Sequence, residues 1–169
     1  MDNTQLIERA IAGDKDAFCA LYDLYKDKLY RYAYYRLGNR EDAEDAVSEC
    51  ILSAWKQIGI LRSSAAFQTW IFRILSRCCA RRIKLTILDR EKTAAAQDFY
   101  VGQTQADTVS VEVREALAQL SQSEADIVLL SAVAGLTSEE IAAQVGMTAG
   151  GVRSKLSRSL TKMRNYLEG

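Results

Sequence analysis

The stretch TSEEIAAQVGMTAGGVRSKLSRSL, residues 137–160, decides the reading of this chain. Thr137 stands three residues before Glu140, the spacing of a capping box. In that motif the hydroxyl and the carboxylate each take a free backbone N–H at a helix start. A short helix is expected from there through Val145. Gly146 sits where a tight turn needs positive φ, which a residue without a Cβ adopts freely. Thr148 is placed to cap the following helix. Ala142, Gly146 and Val152 have the spacing at which two helices cross closely: alanine fits the crossing, glycine makes the turn and valine packs back. These are the parts of a helix-turn-helix, whose second helix enters the DNA major groove.

That second helix carries Arg153, Lys155, Arg158, Lys162 and Arg164. Its buried side is expected at Val152, Leu156, Ser159 or Leu160, and Met163. Arg153, Ser154 and Lys155 come early, within reach of base edges. Arg158 and Lys162 are better placed for phosphates, which add affinity without sequence information. Gly150 and Gly151 cost the helix about 1 kcal/mol each relative to alanine. Close backbone approach, to DNA or to the neighbouring helix, would offset that cost. The bland alternative is an ordinary basic surface helix.

Working back toward the N-terminus, the Ser121–Glu124 spacing forms another capping box before a helix over Ala125–Ala134, which Gly135 ends. This C-terminal unit starts near Val109. Residues 93–108 are rich in small polar side chains with weak periodicity and are expected to be a linker.

Three strong helices precede the linker. The first is expected from Asp16 to Leu37, with Phe18, Leu21, Tyr22, Tyr25, Leu29, Ala33 and Leu37 on one stripe. After Gly38, Asn39 can cap a second helix running to about Ile58, with Glu41 and Asp42 favourable at its positive end. Glu41, Asp42, Glu44, Asp45 and Glu49 give that helix an acidic outward face, and Leu52 falls on the same face. A leucine among carboxylates fits a protein partner, although single exposed leucines are common. The third helix is expected from Phe67 to about Lys84, with Trp70, Ile71, Ile74 and Cys78 as its apolar stripe. Arg73, Arg77 and Arg81 recur every four residues along it, followed by Arg82. Aromatic residues beside a cationic row suit unpaired nucleic acid, whose bases stack while phosphates meet arginine. Phe67 and Trp70 could equally be core residues, and Trp70 favours the core. Proline is absent and strict alternation is scarce, so the fold class expected is all-α, as two small helical units joined by a linker.

Composition narrows the chemistry. The chain has 169 residues, 49% hydrophobic and 26% charged, suited to one or two globular units. The net charge of +0 hides segregation: residues 61–92 hold 8 basic and 2 acidic side chains, residues 93–140 hold 1 and 8, and residues 141–169 hold 5 and 1. Two basic segments flanking an acidic one fit two contacts with a polyanion. Cys19, Cys50, Cys78 and Cys79 form no C-x-x-C pair and histidine is absent, so no metal or other cofactor is expected and the cysteines read as reduced thiols. No Walker-type glycine loop or catalytic triad stands out, and an enzyme is not expected. No basic start followed by an apolar run, and no membrane-length apolar stretch, occurs. A cytoplasmic location without membrane insertion is therefore expected.

DAEDAVSECILSAW (residues 42–55), FQTWIFRILSRCCARR (67–82) and the helix-turn-helix ending GGVRSKLSRSL together resemble extracytoplasmic-function sigma factors, in the family's order and separation. The resemblance implies a sigma-two domain over residues 1–92, a linker over 93–108 and a sigma-four domain over 109–169. It implies that the helix bearing Asp42, Glu44, Asp45, Ser48, Glu49 and Leu52 docks on the β′ clamp helices of RNA polymerase core. The loop over residues 61–66, with Arg62 and Ser63, and the helix bearing Phe67, Trp70, Arg73, Arg77, Arg81 and Arg82 would melt and read the −10 promoter element. The helix starting at Thr148, with Gly150, Gly151, Arg153, Ser154, Lys155 and Arg158, would read the −35 element. The sigma-four domain would also touch the β flap, and an anti-sigma factor would mask the protein. The chain departs from the family at Arg77 and Arg81, where asparagine and aspartate are common. It departs further at Ser48, at Leu120-Ser121 in place of Leu-Pro, and at Gly151. A helix-turn-helix regulator acting apart from polymerase is the alternative.

Overall fold

A computed structural model describes residues 2–92 and 108–169, apart from the side chains of residues 91–92 and 108–110. All but residue 108 of the expected linker lies outside the described residues. The described residues form helices and no strand, which upholds the all-α expectation. They are α1 (Asn3–Ile11), α2 (Lys15–Leu37), α3 (Arg40–Gln57), α4 (Phe67–Lys92), α5 (Thr108–Ala118), α6 (Gln122–Ala132), α7 (Ser138–Val145) and α8 (Ala149–Glu168).

Local chemistry sets most of the boundaries. Asp14 caps α2 by accepting from the Ala17 N–H at 3.1 Å, and Gly38 ends it in the left-handed region at φ 71°. Asn39 caps α3 as expected, accepting from the Asp42 N–H at 3.0 Å. Both capping boxes form: Ser121 with Glu124, and Thr137 with Glu140. Two elements differ from the sequence reading. Helix α1 was not expected; it is only nine residues long, with Ile7 and Ala10 buried and Leu6 and Ile11 packed beside them. Helix α4 runs to Lys92 rather than Lys84, since no glycine or proline interrupts it. Its last turns leave Leu85, Ile87 and Leu88 exposed.

Helices α1 to α4 pack around Leu21, Leu29, Tyr32, Phe67, Phe72 and Leu75, all at most 1% exposed. Tyr32 meets Phe72 edge-on with ring centroids 5.9 Å apart. Helices α5 to α8 close over Ile127, Leu130, Ile141 and Val152, each fully buried. The two groups also meet, α2 against α6 and α4 against α7. At that seam Asp126 of α6 accepts from the Tyr32 hydroxyl and from the Ser76 hydroxyl at 3.4 Å, and forms an ion pair with the Arg36 guanidinium at 3.1 Å. The Arg36 side chain is 5% exposed and that of Asp126 16%. Burial pushes the Tyr32 phenol well above its usual range, so it remains a donor. Gln68 donates to the Ala134 carbonyl, and Thr69 to the Glu140 carboxylate at 2.9 Å. Arg114 donates to the Tyr34 hydroxyl at 2.9 Å and the Gly38 carbonyl at 3.0 Å.

Candidate nucleic-acid interface

In the C-terminal group, Gly146 adopts φ 74°, ψ 34° and turns the chain from α7 into α8. Val152 is fully buried and Ala142 7% exposed, so the close crossing read from their spacing forms. The Thr148 hydroxyl accepts from the Gly151 N–H at 3.0 Å. A Cβ at Gly151 would lie 3.0 Å from that same hydroxyl and 3.4 Å from the Met147 methyl, so this glycine makes room for the cap. Gly150 has nothing within 4 Å of a built Cβ and leaves an open, side-chain-free patch at the helix start.

The outward side of α8 then presents Gly150, Arg153, Ser154, Ser157, Arg158 and Thr161 to solvent. Arg153 pairs with Glu139 at 3.2 Å, both side chains being more than half exposed, an ion pair worth little in water. Lys155 is half-buried and donates to the Ser123 hydroxyl at 2.8 Å, which turns it toward α6 and away from the outward row. Lys162 reaches the Glu124 carboxylate at 2.9 Å. That bond, with the Ser121 backbone N–H, holds the Glu124 carboxyl at about 2, far below the usual range. Arg158 stands in no ion pair among the described residues. Ser159, left open with Leu160 in the sequence reading, is the buried one, and Leu160 is exposed.

In the N-terminal group, Ser63 caps a single turn over Ser64–Ala66 by accepting from the Ala65 N–H at 3.2 Å. Arg62 beside it is exposed. Phe67 is 1% exposed and packs between Tyr25 and Trp70, with centroids 5.3 Å and 6.0 Å away. It is a core side chain in this arrangement and not a stacking platform, because α4 turns its first residue onto α2. Trp70 is half-buried, Arg73 half-buried and Arg77 exposed.

The four arginines do not form one free row. Arg81 pairs with Glu49, and Arg82 lies 3.8–3.9 Å from Asp42, Asp45 and Glu49. Those carboxylates recur every three or four residues on α3, which packs along α4, so the acidic row of one helix neutralises the end of the basic row of the other. Arg62, Arg73 and Arg77 stand in no ion pair among the described residues. The acidic face of α3 divides accordingly: Asp42, Asp45 and Glu49 turn toward α4, while Glu44 and Ser48 are exposed on the side of Leu52, itself 64% exposed. Gln68, Thr69 and Glu139 were not singled out from the sequence. Their contacts join positions far apart in the chain or on separate helices, and no local pattern marks them.

Comparison with known proteins identifies the family. Residues 21–85 match the model of Sigma-70 region 2, and residues 110–163 that of Sigma-70, region 4. The chain is 30% identical over 174 residues to the ECF RNA polymerase sigma factor BldN of Streptomyces coelicolor, covering 96% of this chain and 65% of BldN. In fold it is similar to CnrH in complex with the cytosolic domain of CnrY, with a TM-score of 0.77 at 21% identity over 99% of this chain and 98% of CnrH. It is similar also to the sigma factor RpoE in complex with the anti-sigma factor NepR from Bartonella quintana, with a TM-score of 0.68 at 22% identity over 92% of this chain and 98% of RpoE.

Proposed function

We propose that this chain, which belongs to the extracytoplasmic-function sigma factors, binds RNA polymerase core and directs it to promoters through two DNA contacts made by different helices. Residues 1–92 serve as the core-binding and −10 unit, residues 109–169 as the −35 unit, and the segment 93–108 joins them. The observation that carries the reading is the outward row of α8: an open glycine at its start, then Arg153, Ser154 and Arg158, on a helix held by a capped, glycine-turned partner. This is the geometry that places a helix N-terminus in the major groove.

On the other unit, Leu52 with Glu44, Asp45 and Ser48 forms the surface for the β′ clamp helices, an apolar anchor in an acidic rim. Arg62, Arg73 and Arg77, with the open edge of Trp70, meet the displaced −10 strand. Opening of the duplex draws on the binding energy of captured unpaired bases, which needs no hydrolysis. The β flap is the further polymerase contact of the C-terminal unit, and an anti-sigma factor is an expected inhibitor, as the family membership supports. No described helix is long and apolar enough to cross a membrane.

The test is in vitro transcription from a genomic library with purified core polymerase. New specific start sites are expected only when the protein is added. Reversing Arg153 and Arg158 to glutamate should remove starts that depend on a −35 element. Tight operator binding without core, and no new starts with it, would instead establish a stand-alone regulator.

A further inference from the structure

The cations of α8 are held from different sides. Lys155 and Lys162 are drawn back onto α6, to the Ser123 hydroxyl at 2.8 Å and the Glu124 carboxylate at 2.9 Å. Arg153 is held from α7: its Nη1 donates to the Glu139 carboxylate at 3.2 Å, across 14 positions of sequence. The left-handed turn at Gly146 brings the first turn of α7 beside the second turn of α8. Glu139 is not the residue that caps α7. The capping box uses its neighbour Glu140, which accepts from the Thr137 N–H at 2.9 Å. With both side chains more than half exposed, the Arg153–Glu139 pair adds little stability in water. A carboxylate on this surface also opposes the approach of a polyanion. What the pair supplies is geometry. The Nη1 contact leaves the Nε–Nη2 edge of the guanidinium open. Two donors of such a rigid fork match O6 and N7 of guanine. A long side chain already held in place loses less rotamer freedom when it binds. Once water is excluded from the groove, the bond to the carboxylate strengthens.

We infer, on the reading of α8 as the −35 helix, that Glu139 is a positioning residue for base recognition: its carboxylate takes one side of the Arg153 guanidinium and aims the other at a guanine edge in the −35 element. Glu139 itself touches no base. Arg158, in no ion pair among the described residues, serves phosphate instead, so Glu139 bears on sequence discrimination and not on overall affinity. The open backbone at Gly150 admits the DNA edge one turn earlier, on the same outward row as Arg153 and Ser154.

The experiment uses the full-length chain with core polymerase and a promoter whose starts depend on a −35 element. Each base pair of that element is replaced in turn. Transcription is measured with the unaltered chain, Glu139→Ala, Glu139→Gln, Arg153→Ala and the double variant Glu139→Ala/Arg153→Ala. A bidentate arginine prefers guanine by about tenfold to a hundredfold. Arg153→Ala should remove that preference at one position. Glu139→Ala should lower it about fivefold at the same position, a common size for the coupling of two touching residues. In the Arg153→Ala background the Glu139 change should do nothing further. Glu139→Gln, whose amide oxygen still accepts from Nη1, should keep most of the preference. Binding to a duplex without the element should not weaken in Glu139→Ala, because a negative charge has left the DNA face. A guanine preference that Glu139→Ala leaves intact overturns the positioning role. So does a Glu139→Ala effect that persists without Arg153, which would make Glu139 a base reader in its own right. If Arg153→Ala alters no base preference at all, the assignment of α8 beneath the inference has failed.

Discussion

Helices α4 and α8 carry cations at similar spacing, yet the two rows end in different states. Along α4, Arg81 and Arg82 face the carboxylates of Asp42, Asp45 and Glu49, because α3 packs lengthwise beside it with its acidic residues in register. Along α8, Arg153 and Lys162 each meet one carboxylate, from the neighbouring α7 and α6, and Arg158 meets none among the described residues. A cationic helix is therefore available to a polyanion in proportion to what its neighbour brings, and its own periodicity says nothing about that. The supports differ as well. Both groups use side-chain caps and a left-handed glycine, but the N-terminal core is built on the buried aromatic side chains Tyr32, Phe67 and Phe72, whereas the C-terminal core is aliphatic, at Ile127, Leu130, Ile141 and Val152.

The largest effect is expected where packing alone supports the fold. Phe72→Ala empties a fully buried site against Tyr32 and should cost about 3–5 kcal/mol, read as a drop in the urea midpoint. Gly146→Ala attacks the local device instead. Placing a Cβ at φ 74° should cost about 1–2 kcal/mol, and an equal or larger loss than in Phe72→Ala would reverse the contrast.

The charge contrast is sharper in binding. Arg77→Ala should lower the log–log salt slope for single-stranded DNA by about 0.7, the loss of one phosphate contact. Arg81→Ala should leave the slope nearly unchanged, because Arg81 already neutralises Glu49. Equal slopes for the two variants would return Arg81 to the DNA surface. The smallest effect concerns Glu124, whose carboxyl lies at about 2 in the fold. A depressed folded value means that its contribution is intact above about pH 4.5 and fades as pH falls toward about 2. Glu124→Gln should flatten that part of the stability–pH curve, measured by urea unfolding across the same range.

Much of the local structure was legible. The Asn39 cap, both capping boxes, the turns at Gly135 and Gly146 and the Thr148 cap all stand where the spacing put them. The legibility failed in two ways. The nine-residue helix α1 is short, and although Leu6, Ile7, Ala10 and Ile11 share one face, only packing against α2 shows that face to be interior. Phe67 sits beside a basic row that suits nucleic acid, but its burial depends on Tyr25, forty-two positions earlier in the chain.

Taken alone, the order of residues determined where helices begin and end and which of them turn into one another, because a cap or a positive-φ glycine acts on backbone groups within about four residues. The tertiary structure decided which cations are spent and which are free, and that the two groups close on one another through Asp126. Charge pairing and burial depend on distances between side chains that the sequence separates by dozens of positions, and only packing sets those distances.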